Sequence, residues 1–386
     1  MNSTSRKDVL ILGGGLAGST LAIALARAGR EPLLVERYST ASHKVCGEFL
    51  SPEALPILRK AGINPEVLGA HVIHSVRLAA RDLLAEVPLP SSALSLTRKR
   101  LDAALLECAQ QSGAALLCGH SVERLAYCTR AENSGYWQAQ VKNSAQQSIN
   151  IEANHAFIAT GKNDLRGWQR AAGGSQSNLV AMKMYFRLAP KQQAELSGHV
   201  ELILFPGGYA GLQMVEGDAA NLCVLITREK FRTLASRWQG MLEHMQNSST
   251  HLARRLGGAS ELLERPLALS AIPYGYCLNV PLLATSPWRL GDQAAVIPSF
   301  CGDGMAIALY TASRAAEMFL AGANQADYHA EMRQRFKRRL HLSTLLSRLL
   351  IKLPTLAQAV RIWPDALTQI FSATRLPGTW VQNSSQ

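Results

Sequence analysis

Gly13, Gly15 and Gly18 form a Gly-x-Gly-x-x-Gly turn, a spacing suited to bringing bare backbone up against a pyrophosphate. Gly13 permits the tight turn, Gly15 keeps a Cβ out of the phosphates' path, and Gly18 lets a helix lie close on a strand. Leu16 and Ala17 begin that helix, whose free N–H groups and positive dipole end attract the anion. Glu36, eighteen residues past Gly18 and followed by Arg37, offers a carboxylate to both hydroxyls of a ribose. The reading is a dinucleotide site, and the turn alone does not separate FAD from NAD.

A second constellation lies far downstream. Trp288-Arg289-Leu290-Gly291-Asp292 leads through Pro298 to Gly302-Asp303-Gly304-Met305-Ala306. It reads as a strand end followed by a glycine turn that opens a helix. Reduced flavin is negatively charged around N1 and C2=O, and a helix N-terminus stabilises such charge. Here the sequence resembles the p-hydroxybenzoate-hydroxylase-like flavoproteins, and within them it looks most like the geranylgeranyl reductases. The resemblance implies that Gly291 and Asp292 bind the ribityl chain of FAD. It also implies that Pro298, Gly302, Gly304 and Met305 aim a helix at the flavin's pyrimidine edge. Val45-Cys46-Gly47-Glu48-Phe49-Leu50-Ser51-Pro52 resembles the reductases' Cys-Gly segment, which brings Cys46 and Gly47 over the ring. Arg98, four residues before Asp102, resembles the family's FAD-contacting arginine, and Val122 completes the expected cofactor set.

One segment departs from the family. An Asp-Gly pair is expected after the hairpin, where this chain has Ala159-Thr160-Gly161-Lys162, so the reception of NAD(P)H, the expected electron donor, is left open. Ala-Thr-Gly also occurs there in flavin halogenases, but the tryptophan pair and lysine those enzymes need are not evident. Phe205-Pro206-Gly207-Gly208-Tyr209 resembles the aromatic-Pro segment at the reductases' substrate cavity and assigns Phe205 and Tyr209 to the pocket; a core Phe beside a hairpin turn is the competing reading. No Ser-His-Asp, Cys-His or paired-carboxylate set stands out, as expected where a cofactor carries the hard step. Cys46 and Glu48 are catalytic candidates only by proximity to the Cys-Gly segment.

These residues require particular elements to hold them. Asp8–Leu12, Leu16–Ala28 and Pro32–Glu36 read as a strand, helix and strand, and Arg98–Ser112 as an amphipathic helix. Tyr136–Val141 and Ile149–Ala159 read as a hairpin. Val180–Leu188, Val200–Phe205, Gly211–Val215 and Leu222–Thr227 suggest a separate antiparallel sheet, and Gly304–Ala321 a helix. The expected fold is α/β: a Rossmann-like FAD-binding domain from residues 1–75, 96–178 and 266–325, an inserted antiparallel substrate sheet from 76–95 and 179–265, and a helical C-terminal segment, 326–386.

Composition bounds the partners. The chain has 386 residues, 47% hydrophobic and 18% charged, as a folded enzyme does. A formal charge of +12 suits anionic cofactors, and the absence of an interleaved aromatic and basic stripe excludes single-stranded nucleic acid as the expected partner. Seven scattered cysteines with no CxxC pair point to a reducing cytoplasm and away from a zinc site; His71 and His74 read as structural. The glycines interrupting Val9–Ala26 make it a fold motif rather than a signal peptide, and no transmembrane segment is expected. Arg333, Arg335, Lys337, Arg338 and Arg339 precede the apolar run Leu340–Leu353. This basic helix either packs across a domain interface or lies on an anionic membrane. The expected activity is monooxygenation of a hydrophobic aromatic or polyketide-like molecule. Its rivals are carbon–carbon double-bond reduction of geranylgeranyl reductase type and a flavin-free lipid-sequestering module.

Overall fold

A computed structural model describes residues 6–129, 135–170, 176–279, 285–352 and 375–377. The chain begins with β1 (Lys7–Leu12), α1 (Leu16–Arg27) and β2 (Pro32–Glu36). Val9 to Leu12 are fully buried, so the strand has no solvent face, as a parallel sheet covered on both sides demands. Gly13 has φ +109, and a Cβ there would stand 2.5 Å from the Ala159 carbonyl oxygen. A Cβ on Gly18 would stand 1.8 Å from the Gly13 oxygen, which is why α1 lies so close to β1.

Next come β3 (Phe49–Leu50), α2 (Ala54–Lys60), β4 (His71–Ala80), β5 (Leu83–Ser95) and α3 (Arg98–Gln111). Thr97 caps α3 by accepting the Arg100 N–H at 3.2 Å. The strands β6 (Ala115–Cys118), β7 (His120–Thr129), β8 (Gly135–Asn143) and β9 (Ser148–Ile158) complete the first half. One sheet has the order β6-β2-β1-β9-β8-β7, parallel around β1 and antiparallel through β7, β8 and β9.

The second sheet is built from β10 (Leu179–Arg187), β11 (Gly198–Phe205), β12 (Gly208–Val215) and β13 (Ala219–Thr227), with α4 (Pro190–Leu196) between β10 and β11. After β13 follow α5 (Arg228–Thr233), α6 (Trp238–Ser248), α7 (Thr250–Arg255), β14 (Ser260–Glu261) and β15 (Leu267–Ser270). Its order is β14-β10-β13-β12-β11-β4-β5-β3, with β15 also beside β10. Three details differ from expectation. β4 runs parallel to β11, so the sheet is mixed. It takes in the chain from His71, ahead of residue 76, and again Leu267–Ser270, which were expected in the cofactor domain. Phe49–Leu50 also belongs to it, through β5.

Strand alternation gives this sheet two unlike faces. Met182, Met184, Ile203, Phe205, Leu212, Leu222 and Val224 join Trp238, Met241 and Met245 of α6 in one apolar cluster. The opposite face, turned to the cofactor half, carries Lys183, Tyr185, Gln213 and Asn221, all at most 3% exposed.

The chain then returns to the first sheet with β16 (Trp288–Arg289), parallel to β9. It passes to α8 (Gly304–Leu320), which packs on α1, and ends its described helices with α9 (Gln325–Lys352). One face of α9 is buried through Tyr328, Met332, Phe336, Leu340 and Ile351. Most of the expected C-terminal segment past Lys352 lies outside the described residues.

Candidate cofactor and substrate site

A cavity of about 670 Å³ runs between the two sheets. One end is lined by Glu36, Arg37, His120 and Val122, the middle by Gly13, Gly15, Leu16, Ala17, Lys44 and Arg98, and the far end by Cys46, Gly47, Gly291, Asp292, Gly302, Gly304 and Met305. Two of the predicted cofactor residues do not line it. Gly18 faces the Gly13 backbone, and Pro298 caps the short helix Ser299–Cys301 behind the wall.

The middle of the cavity has the features of a pyrophosphate cradle. Gly15 is extended, at φ −82 and ψ −166. A Cβ there would meet only the Arg98 guanidinium at 3.4 Å and the Lys44 ammonium at 3.7 Å. Bare backbone between two cations suits a doubly charged anion. Asp102, 1% exposed, aims both cations: Oδ1 accepts from Arg98 Nε at 2.9 Å and Oδ2 from Lys44 Nζ at 2.7 Å. Glu36 sits at the end of β2 and accepts the Gly14 N–H at 2.6 Å, which fixes the carboxylate beside the turn.

At the far end Gly291 (φ +56) donates its N–H to Thr311 Oγ1, and the Arg170 guanidinium holds the Asp292 carbonyl at 3.0 Å. Gly302 (φ +77) turns the chain into α8, and a Cβ on Gly304 would meet nothing within 4 Å. The N-terminus of a 17-residue helix therefore opens on the cavity. These features fit an elongated dinucleotide with a redox-active ring at the Gly47–Gly302 end.

The segment Lys44–Glu48 crosses this end and is held from several sides. Four consecutive carbonyls accept side-chain donors: Lys44 from Lys183 Nζ (3.2 Å), Val45 from Lys162 Nζ (3.2 Å), and Cys46 and Gly47 from Asn221 Nδ2 (3.2 and 2.9 Å). Lys162, in the Ala159–Lys162 stretch that stands in place of the expected Asp-Gly pair, is thus an anchor for this loop. Glu48 is fully buried at φ +60, and its carboxylate meets Lys183 Nζ at 2.6 Å, Tyr185 Oη at 2.8 and 2.9 Å, and the Arg98 N–H at 2.7 Å.

Burial pushes the Glu48 carboxyl up, while the adjacent Lys183 charge pulls it down. Burial and then Glu48 push Tyr185 up, so its hydroxyl stays protonated and donates to Glu48. His43 is pushed down by burial and by Lys183; its Nδ1, 3.0 Å from the same phenol, is left to donate to that oxygen. Glu48 lines the cavity, yet every one of these partners holds it in place. Its geometry is that of a residue that positions the loop. Cys46 lines the cavity beside it, its Sγ accepting the Glu48 N–H at 3.3 Å.

An annex of about 80 Å³ opens where the cavity ends. Gly47, Phe49, Cys223, Ser299 and Gly302 line both. Its remaining wall includes Val76, Val200, Leu202, Tyr209, Gln213 and Phe300. Tyr209 lines the annex, its hydroxyl 2.9 Å from Ser299 Oγ. The assignment of Phe205 is corrected. It points to the other face of the sheet, edge-on to His244 of α6 with ring centroids 5.8 Å apart, because successive strand residues face opposite ways. Of the residues without an assigned role, Lys183, Asn221 and Gln213 had a visible signal: polar side chains at alternate positions of otherwise apolar strands.

Residues 6–163 match the FAD binding domain family. Menaquinone reductase of Mycobacterium tuberculosis is 27% identical over 341 residues, covering 82% of this chain and 78% of its own. Squalene monooxygenase of Rattus norvegicus is 34% identical over 91 residues, 23% of this chain and 16% of its own. The solved structure of flavin-dependent brominase Bmp2 aligns with a TM-score of 0.77 over 98% of both chains at 16% identity, a likeness of fold.

Proposed function

We propose that this enzyme, an FAD-dependent oxidoreductase, acts by oxygen-dependent monooxygenation on a hydrophobic small molecule held between the flavin ring and the second sheet. The junction at Gly47 and Gly302 carries the reading, because a group in the apolar annex lies beside the redox end of the cavity. Bound FAD supplies the electron chemistry. The chain's own work is to grip the pyrophosphate with Gly15, Arg98 and Lys44, and to set the Cys46-Gly47 loop through Asn221, Lys162 and Lys183. The annex walls Phe49, Val76, Leu202 and Phe300 then keep water from the substrate's reacting end. The partial match to squalene monooxygenase supports oxygenation of an apolar substrate.

A second reading, reduction of an isoprenoid or quinone substrate, is favoured by the longer match to menaquinone reductase and by the Cys46-Gly47 segment's likeness to geranylgeranyl reductases. NAD(P)H is the proposed donor in both. The outer face of α9 supports peripheral contact with anionic lipid, since Arg333, Lys337, Arg338 and Arg348 are exposed beside Leu345 and Leu349. Among the described residues no helix is long and apolar enough to cross a membrane. The test is oxygen uptake by the FAD-loaded enzyme with NADH or NADPH, with and without squalene or menadione. Substrate-dependent oxygen consumption with an oxygenated product is expected. Equal turnover without oxygen would replace the first reading with the second, and flavin bands that neither nucleotide bleaches would remove the donor.

A further inference from the structure

We infer that the annex selects substrates carrying a hydrogen-bond acceptor, a carbonyl or ether oxygen, through the side-chain amide of Gln213; this rests on the hydrophobic-substrate reading above. Gln213 is 2% exposed on β12, in register with Val200 on one side and Asn221 on the other. It lines the annex, and its buried Nε2 has no acceptor among the described residues. A buried donor without a partner is destabilising, and a methionine would fill the same space without that penalty.

The surroundings leave room for a ligand to supply the acceptor. Gly211, the preceding residue on the same face, would have nothing within 4 Å of an added Cβ. Val76, Val200, Leu202 and Phe300 make much of the remaining wall apolar, the carboxylate of Glu201, which also lines it, is paired with Arg255 and His251, and the Tyr209 and Ser299 hydroxyls bond each other. The Arg375 guanidinium also lines the annex but is stacked over the Phe49 ring at 5.7 Å. At about 80 Å³ the annex is roughly half the ~150 Å³ cavity that admits a benzene. It therefore takes the oxygen-bearing edge of a ring, with the remaining rings or chain lying in the larger cavity. A polar donor set in such a wall discriminates against the analogue lacking the oxygen, because that analogue leaves the donor unpaired.

The test titrates the oxidised, FAD-loaded enzyme with menadione and with methylnaphthalene, the same skeleton without carbonyls, following the flavin absorption. After correction for their partition into octanol, menadione should bind about tenfold more tightly. Gln213→Met should erase that preference while its Tm stays equal to or above that of the unaltered protein. A preference that survives Gln213→Met would overturn the inference, as would a lowered Tm, which would give the amide a structural partner. Equal binding of the two ligands by the unaltered enzyme would overturn it and leave the hydrophobic-substrate reading standing. No spectral change with either ligand would remove that reading and the inference with it.

Discussion

Replacing Gly15 with alanine separates the cofactor cradle from the fold. The backbone there is extended and open to any L-residue, and the nearest atoms to a new Cβ are the ends of two long side chains. The FAD-free variant should therefore keep its stability, or gain up to about 1 kcal/mol from the stiffer unfolded chain. Gly18→Ala is the contrasting control: its Cβ would fall 1.8 Å from the Gly13 oxygen and must displace backbone. With FAD bound, the Gly15→Ala methyl occupies the recess between Arg98 and Lys44 where the pyrophosphate has to sit. Overpacking of this kind costs about 1–3 kcal/mol, which is roughly 5- to 150-fold in affinity. The assay is titration of FAD-free protein with FAD by flavin fluorescence, together with thermal unfolding with and without FAD. Thermal stabilisation by FAD should shrink in Gly15→Ala as the affinity falls. A folded Gly15→Ala protein that binds FAD as tightly as the unaltered chain would refute the cradle assignment.

Three further substitutions probe the surrounding framework. Lys183→Met strands the buried Glu48 carboxylate and should cost about 3–5 kcal/mol in urea unfolding, most of it recovered when Glu48→Gln is added. Asp303, at the start of α8, is pushed by burial, and secondarily by Glu53, from an ordinary value of 3.8 up to about 7. The folded state then holds a proton that the unfolded state has lost, so stability falls as pH rises from about 4 to about 7, by up to roughly 1.4 kcal/mol per pH unit. Asp303→Asn should remove that component and unfold at a higher temperature than the unaltered protein at pH 8; identical pH profiles would exclude the buried carboxyl as its source.

What could be read from the sequence was local. The strand, turn and helix around Gly13–Gly18 are fixed by neighbours in the chain, and the Gly302–Gly304 turn states its helix start in the same way. Face assignment is not local. Leu204 and Phe205 must point in opposite directions, but which of them meets the cofactor depends on how the second sheet docks, and α6 claims Phe205. Likewise the parallel pairing of β4 with β11 joins distant segments that carry no mutual signal. Glu48 was noticed for its neighbours, whereas its partners Lys183 and Tyr185 lie far along the chain. The clue was energetic: a lysine inside the run Leu179–Phe186 is tolerable only opposite a buried acid.

The four carbonyls of Lys44–Gly47 are held by donors from both halves of the molecule, Lys162 following a strand of the first sheet and Lys183 and Asn221 within the second. The loop is therefore a strap buckled to both halves, and Gly47 within it lines the cavity on one side and the annex on the other. Thermodynamic reciprocity then applies: the factor by which a molecule in the annex changes FAD affinity is the factor by which FAD changes affinity for that molecule. The affinity of the protein for its flavin consequently becomes a reporter of annex occupancy, usable even for a ligand that never turns over.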